Sequence, residues 1–80
     1  MPHITVKWLS GRSEEQKKEL AEALLETAVR VTGRGAEHFS VSIEDYDPSE
    51  WDEKVYEPEI VNKQDTLYIK PGYGSMSDGK

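Results

Sequence analysis

The 80-residue chain contains no cysteine, which excludes disulfides, thiolate metal sites and a thiol nucleophile. Its only histidines are His3 and His38, too few for a histidine-based metal cage, and no metal or other cofactor is expected. Apolar residues are scarce, at 35% of the chain against 32% charged. No apolar run approaches the roughly 20 residues that a membrane span needs, and no secretory signal pattern opens the sequence. A cytoplasmic protein without a membrane partner is therefore expected. Familiar catalytic signatures are missing as well. There is no G-x-S-x-G elbow, and Gly33-Arg34-Gly35 is too short for a phosphate loop and follows a helical pattern instead of preceding one.

Basic charge is also in short supply. The formal net charge is -6, and it is unevenly placed. Residues 1–43 carry six Lys/Arg and six Asp/Glu, whereas residues 44–80 carry ten acidic residues and four basic ones. A nucleic-acid partner is excluded on this ground, because phosphate binding needs a basic face. The acidic block from Glu44 to Glu59 reads as a solvated surface.

What is present is a periodic pattern. Residues 3–9 alternate, with Ile4, Val6 and Trp8 on one face and Thr5 and Lys7 on the other, the mark of a strand. Ser13-Glu14-Glu15-Gln16 is a capping box, with two acidic residues at the positive end of the helix dipole. The helix is predicted to run to about Thr32. Leu20, Leu24 and Ala28 recur every four residues, and Ala21, Leu25, Val29 and Val31 widen the stripe. Gly33 suits the left-handed position that ends a helix. Residues 39–43 alternate again, Phe39, Val41 and Ile43 against Ser40 and Ser42. The fold class is thus α/β (α+β), a β-α-β unit whose crossover makes the two strands parallel. Beyond it, Asp47-Pro48-Ser49 starts a turn or short helix interrupted at Pro58, and Thr66–Ile69 suggests a short strand closed by Pro71-Gly72. One domain over residues 1–73 is expected, followed by a disordered tail at 74–80.

A chain this small buries little core. With disulfides and metals excluded, oligomerisation is the remaining means of stabilisation. One helix covers one face of a two-stranded sheet, so a second copy alongside, giving a four-stranded sheet, is expected. A homo-oligomer follows, with a dimer favoured over a hexamer because residues 45–73 supply extra surface to cap a dimer.

The N-terminus carries the chemistry. Pro2 follows Met1 directly, and methionine is normally removed before proline. The result is a secondary amine at the start of a strand, able when neutral to take a proton from carbon and return it elsewhere. Pro2-His3-Ile4-Thr5-Val6-Lys7, followed by Leu9-Ser10-Gly11-Arg12-Ser13-Glu14-Glu15-Gln16-Lys17, resembles the opening of the 4-oxalocrotonate tautomerases. Trp51, Glu57-Pro58-Glu59-Ile60 and Ile69-Lys70-Pro71-Gly72-Tyr73 are similar to the PptA-type bacterial members. The resemblance covers residues 2–73.

It implies a β-α-β subunit assembling as a dimer or a trimer of dimers. It also implies cofactor-free keto–enol proton transfer on a small-molecule 2-oxo acid or its enol. Pro2 becomes the general base and then the acid, Arg12 the substrate-carboxylate receptor, and Trp51 the pocket aromatic. The family's second-strand arginine falls at Ser40, which is neutral and short. Ser40 cannot hold a second carboxylate, so a monoacid of the phenylpyruvate kind fits best, with Trp51 and Trp8 as apolar walls. His3 points away from Pro2 by strand alternation and is read as structural or interfacial. Lys7 and Lys70 are read mainly as solvated. Two alternatives stand beside this reading. One is a hydratase or dehalogenase of unsaturated acids, with Glu50, Asp52 or Glu53 activating water. The other is a non-catalytic acidic dimer that binds a partner through residues 44–59.

Overall fold

The computed structural model describes residues 1–74, and of the expected disordered tail only Gly74 lies within the described residues. The chain forms two compact units that meet in sequence at Pro48 and Ser49.

The first unit is the expected β-α-β crossover. Strand β1 spans His3–Leu9, helix α1 Glu14–Thr32 and strand β2 Ser40–Tyr46. The strands pair in parallel, residue for residue, from His3 opposite Ser40 to Leu9 opposite Tyr46. Parallel strands cannot be joined by a tight hairpin, so the chain must traverse the length of the sheet between them. Helix α1 and the short 3-10 turn at Ala36–His38 make that return.

Both ends of α1 are set by local chemistry. The Gln16 backbone N–H donates to the Ser13 hydroxyl at 3.1 Å, and the Ser13 N–H donates to the Gln16 side-chain oxygen at 3.2 Å. At the other end Gly33 adopts φ 75° and ψ 7° and gives its N–H to the Val29 carbonyl at 2.9 Å. A residue with a Cβ is strained in that left-handed conformation. The half-buried positions of the helix are Lys17, Leu20, Ala21, Leu24, Leu25, Ala28 and Val29, a stripe with helical spacing, and none of its residues is fully buried. Val31, expected in the stripe, is 70% exposed. It shares the face of Leu24, seven residues before it, but sits in the last turn of the helix.

Strand β2 differs from expectation at both ends. Phe39 precedes it, and the strand continues through Glu44, Asp45 and Tyr46. The acidic block therefore begins inside the sheet. The extension is possible because β1 offers seven residues for pairing and because the acidic side chains find donors. The Tyr46 hydroxyl donates to Glu44 at 3.0 Å, and Asp45 is held by two groups described below.

The second unit is helical. A 3-10 turn at Pro48–Glu50 leads into a π-helical segment at Asp52–Ile60 and a further 3-10 segment at Val61–Thr66. Pro58 lies inside the π-helical segment and does not interrupt it. The wider π turn accommodates a ring that would clash with the carbonyl four residues back in an α-helix. Val55 and Tyr56 are the buried residues of this unit. The Tyr56 ring lies 5.6 Å from that of Tyr73, centroid to centroid. Gly74, at φ 68°, passes so close to the Tyr56 ring that a side chain there would collide with it. The strand expected at Thr66–Ile69 does not form. The 3-10 segment runs through Thr66, and Tyr68 and Ile69 are 98% and 87% exposed. Among the described residues the sheet has two strands, and residues 66–69 pair with neither. A strand without a pairing edge has no hydrogen-bond ladder to hold it.

The capping box makes a direct prediction. Ser13→Ala removes the acceptor for the Gln16 N–H and should lower unfolding free energy by about 1 kcal/mol. Denaturant titrations of both proteins at one fixed protein concentration check this.

Candidate active site

Two groups of side chains stand at the two ends of β1. At its start, the Ser40 N–H donates to the Pro2 carbonyl at 3.2 Å, which extends the parallel ladder one step before the strand. The Met1 ammonium donates to the His38 carbonyl at 2.6 Å. While Met1 is attached, the Pro2 nitrogen is an amide and carries no basic lone pair. Its removal leaves Pro2 as the terminus, still tied to β2 through its carbonyl. Ser40 is not an isolated strand serine. Its hydroxyl is 2.6 Å from His3 Nδ1, His3 Nε2 is 3.0 Å from the Thr5 hydroxyl, and Thr5 is 3.1 Å from that of Ser42. The four side chains form a polar ladder on one sheet face.

At the end of β1, Trp8 is clasped on its edge and covered on its face. Its indole N–H donates to Asp45 Oδ1 at 2.7 Å. The Arg12 guanidinium carbon lies 4.9 Å from the ring centroid, a cation–π contact worth about 0.5–1 kcal/mol at an exposed site. One Arg12 N–H also reaches the Leu9 carbonyl at 3.3 Å. The other Asp45 oxygen accepts from Lys17 Nζ at 2.6 Å, and Lys17 also reaches Glu14 at 3.3 Å. Trp8, Arg12, Gln16, Glu19, Leu20 and Ala23 line an open groove of about 300 Å³. It offers a cation and an apolar wall together.

The structure thus brings Pro2 and Ser40 together at one end of β1 and Arg12 and Trp8 together at the other. Trp51 belongs to the second unit, half-buried, at the entry to the π-helical segment. Of the carboxylates near it, Glu50 pairs with Lys54 at 2.9 Å, and Asp52 and Glu53 occupy the first turn of that segment. Among the described residues no group of three His, Asp or Glu side chains is placed to hold a metal ion. Sequence reasoning missed Asp45 and Lys17. Two signals were available. Alternation through Val41 and Ile43 puts Asp45 on the Trp8 face, and Lys17 falls on the apolar stripe of α1 by helical spacing.

Electrostatics follow from this clasp. The Lys17 ammonium, with the Trp8 indole N–H, holds the Asp45 carboxyl below the ordinary carboxylate range. Asp45 in turn pushes Lys17 above its ordinary value, against a smaller opposing effect of burial. The Asp45 contribution to stability is present above its unfolded-state value and lost as pH falls through the lowered folded one. That of Lys17 is present at neutral pH and lost only as pH rises through its raised value. Asp45→Asn should therefore be less stable than the parent at pH 7, and the gap should close as the medium is taken below the carboxylate range. Paired denaturant titrations from pH 7 to about 3 check the sign.

Residues 2–52 match the tautomerase enzyme family. A probable tautomerase of Xylella fastidiosa is 40% identical over 77 residues, covering 96% of this chain and 94% of that protein. Tautomerase PptA of Pectobacterium carotovorum is 40% identical over 74 residues, covering 91% and 97%. Among solved structures, TomN, a 4-oxalocrotonate tautomerase homologue of the tomaymycin biosynthetic pathway, superposes with a TM-score of 0.61 at 36% identity, over 62% of this chain and 77% of that one. The β-α-β architecture, the proline at the head of β1 and these similarities over the matched length agree: the chain belongs to the tautomerase family and is an isomerase with tautomerase-type activity.

Proposed function

We propose that this tautomerase interconverts 2-oxo acids and their enols in the cytoplasm without a cofactor, using the Pro2 amine exposed by removal of Met1. In ketonisation the neutral amine accepts the enol O–H proton, and the resulting ammonium delivers a proton to the adjacent carbon. No atom is gained or lost, and the base is regenerated. Arg12 holds the substrate carboxylate through its planar fork. Trp8 supplies an apolar wall. The neutral Ser40 hydroxyl favours a monoacid with an apolar tail, such as an arylpyruvate enol, over a diacid.

The observation that supports this most strongly is the placement of Pro2 and Arg12 at opposite ends of one strand. Seven residue steps of β-structure from Pro2 to Leu9 span roughly 23 Å, and Arg12 is turned back onto Leu9 and Trp8 at the far end. No small 2-oxo acid bridges that distance. The two groups meet when two copies pair antiparallel along a sheet edge, which sets the end of one β1 beside the start of the other. The half-buried stripe of α1 and the short sheet are consistent with such a partner. We infer that the smallest active unit is a homodimer with a four-stranded sheet and a site formed from Pro2 of one copy and Arg12 of the other. In that site the guanidinium disfavours the Pro2 ammonium and keeps the base form available near neutrality.

Three results test the reading. Protein in which mass spectrometry finds Pro2 at the terminus should ketonise phenylenolpyruvate. Protein that retains Met1 should stay folded by circular dichroism and be inactive; equal rates in the two would remove the amine from the mechanism. Arg12→Ala should lower kcat/KM about 10- to 150-fold, the worth of a hydrogen-bonded charge pair, mainly through KM. Light scattering at micromolar concentration should give at least twice the 9.1 kDa chain mass, and a folded monomer with full activity would refute the shared site.

A further inference from the structure

We propose that Asp45 is a positioning residue for Arg12, acting through Trp8, and that Lys17 keeps Asp45 from capturing Arg12 itself. The inference rests on Arg12 being the receptor for the substrate carboxylate.

An arginine in a turn between a strand and a helix, beyond a glycine at φ 126°, has many rotamers available. A carboxylate nearby would ordinarily bind the guanidinium bidentately and fill the donors that substrate needs. Neither happens here. The oxygens of Asp45 are committed to other donors, Oδ1 to the Trp8 indole at 2.7 Å and Oδ2 to Lys17 at 2.6 Å. Arg12 is stacked on the ring instead, with one N–H given to the Leu9 carbonyl. Among the described residues no carboxylate is paired with it.

The geometry does two things at once. The hydrogen bond from the indole to a carboxylate fixes the rotation of the Trp8 ring, and with it the plane on which the guanidinium lies. It also polarises the indole, drawing positive charge to the N–H edge and leaving the face more negative. Cooperativity of this kind strengthens the cation–π contact. Stacking holds Arg12 without consuming its N–H groups, so the outer edge of the fork stays open to a substrate carboxylate. Lys17 completes the device from α1. It occupies the second Asp45 oxygen and neutralises the charge that would otherwise compete with substrate. A carboxylate in the second strand, an ammonium on the helix and an indole in the first strand thereby preorganise one guanidinium at the subunit edge.

The test is steady-state ketonisation of phenylenolpyruvate by protein whose terminus is Pro2, comparing Asp45→Leu, Trp8→Phe, Lys17→Met and Arg12→Ala. Asp45→Leu should raise KM about three- to tenfold with kcat within about twofold, the range of coupling expected for residues in one network. Lys17→Met should also raise KM, because it frees an Asp45 oxygen to compete for Arg12. Trp8→Phe keeps a ring under Arg12 but removes the indole N–H, and should raise KM by a smaller factor of about two to three. In an Arg12→Ala background, Asp45→Leu should add nothing to KM. A merely structural role for Asp45 would lower stability or kcat and would survive in that background. If circular dichroism shows Asp45→Leu to be unfolded, Trp8→Phe and Lys17→Met decide the matter. Should Arg12→Ala raise KM while the folded Asp45, Trp8 and Lys17 variants leave it unchanged, the positioning role is overturned and the carboxylate assignment stands. Should Arg12→Ala itself leave KM unchanged, the carboxylate assignment fails and the positioning role falls with it.

Discussion

The structure depends on the one-to-one parallel pairing of β1 with β2. Seven residues of one strand lie opposite seven of the other without a bulge, and every functional placement in the first unit follows from that register. It sets Ser40 beside His3 and ties the Pro2 carbonyl to the Ser40 N–H. Five steps later it sets Asp45 opposite Trp8. A shift of one residue would turn each side chain of β2 to the other face and break both groups. The pairing is possible only because α1 returns the chain to the starting end of the sheet, and α1 is delimited by the Ser13–Gln16 box and by Gly33.

The first unit is divided by face as well as by end. One sheet face carries Ile4, Val6, Val41 and Ile43 and meets the half-buried stripe of α1. At its rim the apolar contact gives way to the Trp8–Asp45–Lys17 clasp, in which polar groups on two strands and a helix satisfy one another. The other face carries the ladder of His3, Ser40, Thr5 and Ser42. Neither face is deeply covered, and no residue of α1 is fully buried. A 48-residue unit with so little enclosed surface has a small hydrophobic contribution to set against chain entropy. In the proposed dimer, association offsets that deficit, and the separation of Pro2 from Arg12 makes it a requirement of the proposed site too.

The charge distribution has the same logic. The acidic second half of the sequence begins within β2, where Glu44 and Asp45 take donors from Tyr46, Trp8 and Lys17. Further along, Glu50 is paired with Lys54. An excess of carboxylates does not repel a carboxylate substrate if those nearest its receptor are already committed. Asp45, bonded to the Trp8 ring on which Arg12 stacks, is committed in this way.

Local pattern determined much of this protein. Alternation at residues 3–9, the capping box, the four-residue recurrence of Leu20, Leu24 and Ala28, and Gly33 at the helix end were legible because each arises from contacts within a few residues. The order of elements then required parallel strands. Pro2 and Arg12 stood out by motif, as did Trp51. Tertiary structure alone decided where β2 ends, since Glu44 to Tyr46 extend only because β1 offers them a ladder and their side chains find distant donors. It decided that residues 66–69 form no strand, because a strand exists only where an edge receives it. The tolerance of Pro58 follows from the wider π turn around it. Above all, tertiary structure joined Asp45, Lys17 and Trp8, residues 28 to 37 positions apart where they bond, into one clasp beneath Arg12. Such a clasp depends on strand register and helix rotation together, and no local window of sequence contains both.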